Sequence, residues 1–179
     1  MLQMHVIDHT SGDEMPEARN VLKESARIAR GAVSPLSDLT AGDADALIIP
    51  GGFGAAKNLS NFAVAGPEME LEPEVDRVIK SFHAASKPIG LCCIAPVLAA
   101  KSIPGCSVTL GSKGDGWPYG DATDFPAAVG STHVPKEPTG VHLDEDNKIV
   151  TSPAYMADAG PGTVHVSVGG MVTEVLKLA

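Results

Sequence analysis

Aromatic residues, cysteines, positive charge and long apolar runs are all scarce in this sequence, and each shortage narrows what the chain can do. Lysine and arginine total 13 against 22 aspartates and glutamates, giving a formal charge of −9 and a pI near 5.0. Nucleic acids and anionic membranes need a basic footprint, so neither is expected as the principal partner; a small molecule or another protein fits better. No apolar run approaches the roughly 20 residues needed to cross a bilayer. The first residues carry neither a signal-peptide core nor a basic amphipathic leader. Three cysteines, at positions 92, 93 and 106, form neither an even disulfide framework nor a metal-ligand pattern. A reducing compartment follows, with no metal or other cofactor expected.

What remains is a chain of 179 residues, 44% hydrophobic, with 19 glycines and 14 prolines. That composition excludes a disordered chain and suggests a loop-rich globular protein, one domain over residues 1–179 with a substantial core. No repeat, low-complexity tract or interdomain linker is present.

The most informative stretch is Lys87-Pro88-Ile89-Gly90-Leu91-Cys92-Cys93-Ile94-Ala95-Pro96-Val97-Leu98-Ala99-Ala100-Lys101. Its apolar start reads as a strand and its later half as a helix, because Pro96 cannot donate to a sheet ladder but suits a helix's first turn. The chain must then turn at Cys93 or Ile94. A side chain at such a turn stands above the strand's carboxyl end, beside unpaired helix N–H groups that favour a thiolate. Strand alternation sends Cys92 and Cys93 to opposite sides, and Cys93 is the candidate nucleophile. Two buried cysteines acting as small core hydrophobes fit the same residues, so both readings stand on chemistry alone.

Upstream, Ala44 to Pro50 reads as the continuous apolar strand of a parallel sheet covered on both faces, and it ends in Gly51-Gly52-Phe53-Gly54. Glycines past a strand's end let the backbone turn its N–H groups toward a ligand, as an oxyanion hole requires; an ordinary tight turn would look the same. The turn is neither a phosphate loop nor a dinucleotide fingerprint, since the Gly-Lys-Ser/Thr element and the later glycine are missing.

Elsewhere the pattern predicts a strand in Met1–His9, a helix over Glu17–Arg30 capped by Gly31, and a second helix over Glu74–Ser86 that buries Val75, Val78, Ile79 and Phe82. Between them Ala55 to Leu71 lacks periodicity, with Lys57, Asn58 and Asn61 as pocket-lining candidates. A strand at Ser107–Gly111 starts beside a buried Cys106. The loop around Trp117 is read as a pocket wall or an oligomer contact, with preference for the contact. Thr132–Pro135 and Gly140–Asp144 are expected to flank a turn, with Lys148–Ser152 as the return strand of a hairpin. His133 and His142 lie on these strands, and a thiolate often takes its imidazole partner from a distant part of the chain. His133 is the preferred partner; a histidine bonded within a hairpin is the competing reading. At the end, Val168–Leu178 reads as a helix burying Val172, Val175 and Leu176, the glycines and proline of Ala159–Gly170 arguing against a longer one.

Helix feeding strand feeding helix is the pattern of a crossover in an α/β sheet, whose ligands bind at the strands' carboxyl ends. The Gly-Gly turn and Cys93 both fall there.

Three blocks, Leu47–Ser60, Lys87–Lys101 and Asp144–Met156, closely resemble the ElbB-type branch of the ThiJ/PfpI superfamily of class I glutamine amidotransferase-like domains. Gly-Leu-Cys-Cys-Ile-Ala-Pro, Trp-Pro-Tyr and Gln3-Met4-His5-Val6-Ile7-Asp8-His9 are closest to its eukaryotic, often mitochondrial, members. The resemblance implies a flavodoxin-like three-layer α/β sandwich with a mostly parallel sheet and a nucleophile-elbow cysteine, Cys93. Gly51, Gly52 and Ile94 are then the substrate- and oxyanion-binding candidates, and His133 aligns loosely with the superfamily's histidine. It further implies a mitochondrial matrix or cytoplasmic location, protein partners or a homodimer, and cofactor-free glyoxalase- or deglycase-like action on glyoxal or methylglyoxal. A catalytically silent structural or interaction subunit is the alternative. The chain starts after the family's opening strand, Gly-Cys-Gly loop and glutamate-bearing helix, so an exposed sheet edge or gap is expected.

Overall fold

A computed structural model describes residues 1–179, in two compact units, residues 1–39 and residues 40–179. In the first unit the only α-helix is α1, Val21–Ile28. The Asn20 side chain caps it by accepting the Lys23 N–H at 3.1 Å. Its far end closes as a Schellman turn, Gly31 N–H to Ala26 carbonyl at 2.8 Å, with Arg30 in the left-handed conformation at φ 54°. The helix is shorter than its apolar pattern because the Arg19 carbonyl is taken by Gln3 N–H at 2.8 Å. Nor does Met1–His9 form a strand. Leu2 and Ile7 make single antiparallel bridges to Asn20 and Glu14, and Asp8 folds the chain back by accepting Thr10 N–H on its carboxylate and Gly12 N–H on its carbonyl.

The second unit is built on the four-stranded sheet β1 (Leu47–Ile49), β2 (Ile89–Cys92), β6 (Ile149–Ser152) and β5 (His142–Asp144), in that spatial order. The first three are parallel and β5 runs antiparallel to β6. The intervening elements are α2 (Phe53–Lys57), α3 (Phe62–Ala65), α4 (Pro73–Ala84), α5 (Pro96–Ser102), α6 (Phe125–Ala128) and α7 (Pro161–Leu178). Two short strands, β3 (Ser107–Val108) and β4 (Thr132–His133), form a separate parallel pair.

Alternation along β2 and β6 decides what covers each face. Cys92 and Val150 share one face with Met171 and Val175 of α7. Helices α4 and α5 pack against β2 as well, and α4 buries the four apolar residues its period marks, Val75, Val78, Ile79 and Phe82. This is a flavodoxin-like α/β arrangement. Gly90 has no side chain because one would come 2.8 Å from Val175 Cγ2, so helix and strand approach closely. Strand β1 forms the sheet's outer edge, and Ile48 is 43% exposed there.

Several expectations are corrected. Helix α7 runs unbroken for 18 residues, although Gly160, Pro161, Gly162, Gly169 and Gly170 argue against it. Pro161 sits at the helix start, where its missing N–H costs nothing, and Gly170 permits contact with Val141, whose Cγ2 would be 2.9 Å from an added Cβ. Leu176 is 66% exposed, and Met171 and Val175 carry the buried stripe. The hairpin is β5 and β6, as read, but Thr132–His133 pairs with β3 instead of flanking a turn with β5. Trp117 is half-buried and lies over Gly111, which has no room for a Cβ beneath the indole, while its neighbours Pro118 and Tyr119 line a cavity beside Cys93.

Candidate active site

Strand β2 ends at Cys92, and the chain reverses direction at Cys93 with φ 59°. A β-carbon in this left-handed region is strained, by about 1–2 kcal/mol, and is held only where neighbours over-determine it. Here Cys93 N–H donates to the Ser152 carbonyl at 3.0 Å, extending the β2–β6 ladder, and Ala95 N–H closes the turn onto the Cys92 carbonyl at 3.1 Å. Pro96 then opens α5. The third support is Gly51: a Cβ there would stand 2.6 Å from both the Cys92 carbonyl oxygen and Cys93 Cβ. The Gly-Gly turn after β1 and the cysteine turn after β2 are therefore packed backbone to backbone.

The two cysteines part as the strand alternation requires. Cys92 is buried at 7% exposure, and burial pushes its thiol pKa up, partly offset by the Gly51 N–H directed at its sulfur. Cys93 is half-buried and opens into a cavity of about 1030 Å³. Ile94 and Gly52 line the same cavity, and their N–H groups enter none of the backbone hydrogen bonds around the two turns. Gly52, at φ 86°, is the N-cap of α2. Backbone amides left unpaired beside a reacting thiol are what an oxyanion hole requires. Of the four residues grouped by sequence around the reacting oxygen, Cys93, Gly52 and Ile94 share the cavity, while Gly51 lies behind the turn with its amide on Cys92.

His133 sits elsewhere. On β4 it pairs across to Val108, and it is not among the cavity-lining residues. Burial pushes its pKa down, against the Gly111 backbone and the charge of Asp124, and its Nε2 is buried with no hydrogen-bond partner. Asp124 does line the cavity, but its carboxylate is bonded by Lys113 at 2.7 Å. His142 bonds the Ser107 hydroxyl at 2.8 Å. Lys57, Asn58 and Asn61 are likewise absent from the wall; Asn61 instead accepts Glu70 N–H at 2.7 Å and closes its own loop. Their places are taken by Phe53, Ala56, Phe62 and Pro67. The few aromatics of the chain gather at this cavity. Cys106, buried against the Ser131 hydroxyl, has its pKa pushed up to about 11 by burial.

A doubly wound α/β sheet with a strained cysteine at the carboxyl edge, braced by a Gly-Gly turn, defines the class: a thiol-elbow domain of the glutamine amidotransferase-like kind. No family model matches the chain. It is 53% identical over 180 residues to the mitochondrial ES1 protein homolog of Rattus norvegicus, covering 98% of this chain and 68% of that one. The same identity over the same length relates it to a mitochondrial protein of Homo sapiens named glutamine amidotransferase-like class 1 domain-containing protein 3, covering 98% and 67%. Among solved structures, an isoprenoid biosynthesis protein with an amidotransferase-like domain from Ehrlichia chaffeensis superposes with a TM-score of 0.88 at 31% identity, over 99% of this chain and 79% of that one. The chain belongs to the ES1 family of glutamine amidotransferase-like class 1 domain proteins. Both mammalian relatives are mitochondrial by name, in agreement with the location that the resemblance implied.

Proposed function

We propose that the chain is a cofactor-free, glyoxalase- or deglycase-like enzyme acting on reactive aldehydes of the glyoxal and methylglyoxal type through Cys93. The observation that carries this reading is the strained Cys93 backbone at φ 59°, opening on a cavity that Gly52 and Ile94 also line. In the reaction, the Cys93 sulfur forms a bond to the aldehyde carbon while the carbonyl electron pair moves to oxygen, which takes up a proton beside the two amides. The hydrogen on that carbon then passes as a proton to the neighbouring carbonyl through an enediol. The product is a thioester of a 2-hydroxy acid. Water cleaves it, releasing the acid and restoring the thiol. His133 is not among the cavity-lining residues, so no proton step is given to it.

Glycolate or lactate formed by the purified protein, abolished in Cys93→Ala and retained in Cys92→Ala, is the expected result. Equal turnover in the two variants would end the assignment.

A second reading is a catalytically silent subunit with protein partners or a second copy of itself. It draws support from a cavity wall without an imidazole and from β1, whose outer edge leaves Ile48 exposed. Co-purification with a larger assembly, combined with no aldehyde turnover, would favour it.

A further inference from the structure

The chain has only four phenylalanines, two tyrosines and one tryptophan, yet they are not spread evenly. Phe53, Phe62, Phe125, Tyr119 and Tyr155 all line the cavity beside Cys93. Phe62 and Phe125 meet edge to face with ring centroids 5.0 Å apart, forming a fixed wall. Phe53, Tyr119 and Tyr155 are 67%, 53% and 51% exposed. Exposed large apolar side chains mark an interaction surface, and their place around a concave opening is the form that small-molecule sites take.

Charge narrows the ligand further. Asp121, Asp124 and Asp158 are the charged side chains in the wall, and no lysine, arginine or histidine lines it. Lys113 pairs with Asp124 at 2.7 Å from outside the wall; Asp121 and Asp158 are exposed and have no cation among the lining residues. Lys57 Nζ stands 5.2 Å from the Phe53 ring centroid, yet the charged side chains of the wall itself are all acidic, so a substrate bearing a carboxylate or phosphate would be disfavoured inside it. The volume, about 1030 Å³, is also far more than a two- or three-carbon aldehyde fills.

Resting on the reading of Cys93 as the reacting thiol, we infer that the cavity selects carbonyl compounds with an aromatic or extended apolar body and no negative charge. The carbonyl lies against Cys93, Gly52 and Ile94, and the body lies between the Phe62–Phe125 wall and the rings of Phe53 and Tyr155. Bond formation is the addition already described, with the sulfur joining the carbonyl carbon and the oxygen gaining a proton.

The test uses the unmodified protein and three thiol reagents: iodoacetate, iodoacetamide and N-benzyl iodoacetamide. Each reaction displaces iodide from carbon by the Cys93 sulfur, and each rate is divided by that reagent's rate with a free cysteine derivative. The expected order is N-benzyl iodoacetamide fastest and iodoacetate slowest, with steps of about tenfold or more. Tyr155→Ala is expected to shrink the benzyl advantage, and a double variant Asp121→Asn with Asp158→Asn to raise the iodoacetate rate. Iodoacetate matching iodoacetamide, no benzyl advantage, or a Cys93 unreactive to all three would overturn the inference. Aldehyde turnover is measured alongside. Its absence with the reagent order intact upholds the cavity assignment and removes the enzyme reading; turnover with an anionic preference does the reverse.

Discussion

Gly51 stands so close to Cys93 that a methyl group on it would lie 2.6 Å from the cysteine's Cβ. The two residues are 42 positions apart in sequence yet form one backbone contact, so the geometry of the thiol depends on the turn that follows a different strand. Gly51→Ala is expected to force the two turns apart. An overpacked site of this kind costs about 1–3 kcal/mol, to be read as a lower urea midpoint. Because relaxation also releases Cys93 from φ 59°, alkylation of Cys93 and aldehyde turnover should both change by more than the stability loss explains. A variant with native turnover would show that the elbow does not need this brace.

The three thiols should separate cleanly by reactivity. Burial raises the pKa of Cys92, and that of Cys106 to about 11, so both stay protonated and shielded at neutral pH, whereas Cys93 opens to the cavity. Brief iodoacetamide treatment of the native protein is expected to add one label, at Cys93, with two more appearing only in denaturant. Peptide mass spectrometry locates them. Early labelling of Cys92 would reverse the roles given to the pair.

Much of this site was legible because local rules and tertiary packing agree there. Pro96 suits a helix's first turn and the apolar run ending at Cys92 suits a strand, so the turn falls between them. The apolar period of α4 likewise names its own buried stripe. His133 was harder to place, since strand order is not encoded locally: β4 could pair with β5 or with β3, and the choice of β3 moves the imidazole off the cavity. The cavity's aromatic wall was hidden for the opposite reason. Ala55 to Leu71 has no clean period, being split into α2, α3 and a following turn, so nothing in it marks Phe62 as a neighbour of Cys93. In α7 propensity misled, because glycine costs there are offset by close approach to Val141 and to the sheet.

Two adjacent glycines of α7 carry opposite signs. Gly169 faces open space, with nothing within 4 Å of an added Cβ, whereas Gly170 would drive one to 2.9 Å from Val141 Cγ2. Gly169→Ala is expected to stabilise by about 0.5–1 kcal/mol through helix propensity and a less flexible unfolded chain. Gly170→Ala should destabilise or leave the midpoint unchanged, its propensity gain consumed by the clash. Thermal or urea midpoints for the two single variants decide it, and equal gains in both would mean that α7 is not pressed against Val141.

Asp144 ties the β5–β6 hairpin to β3 and should give the fold an acid-sensitive joint. One carboxylate oxygen accepts Ser107 N–H at 2.6 Å and the Asn147 side chain at 3.0 Å, while the other accepts Asn147 N–H at 3.1 Å. Burial by itself raises the carboxyl pKa, but these hydrogen bonds outweigh it and hold the group below its ordinary 3.8. The native state therefore keeps the charge to lower pH than the unfolded chain does. Its contribution is in place above 3.8 and drains away as pH falls through the lower native value. Asp144→Asn removes the charge and forces a neutral amide among three donors, at a cost of about 1–3 kcal/mol near neutral pH. The stability gap between wild type and variant, followed by urea titration from about pH 6 down to about pH 3, should narrow steadily toward the acid end. A gap that stays constant or widens on acidification would mean that the carboxylate is not what holds β3 against the hairpin.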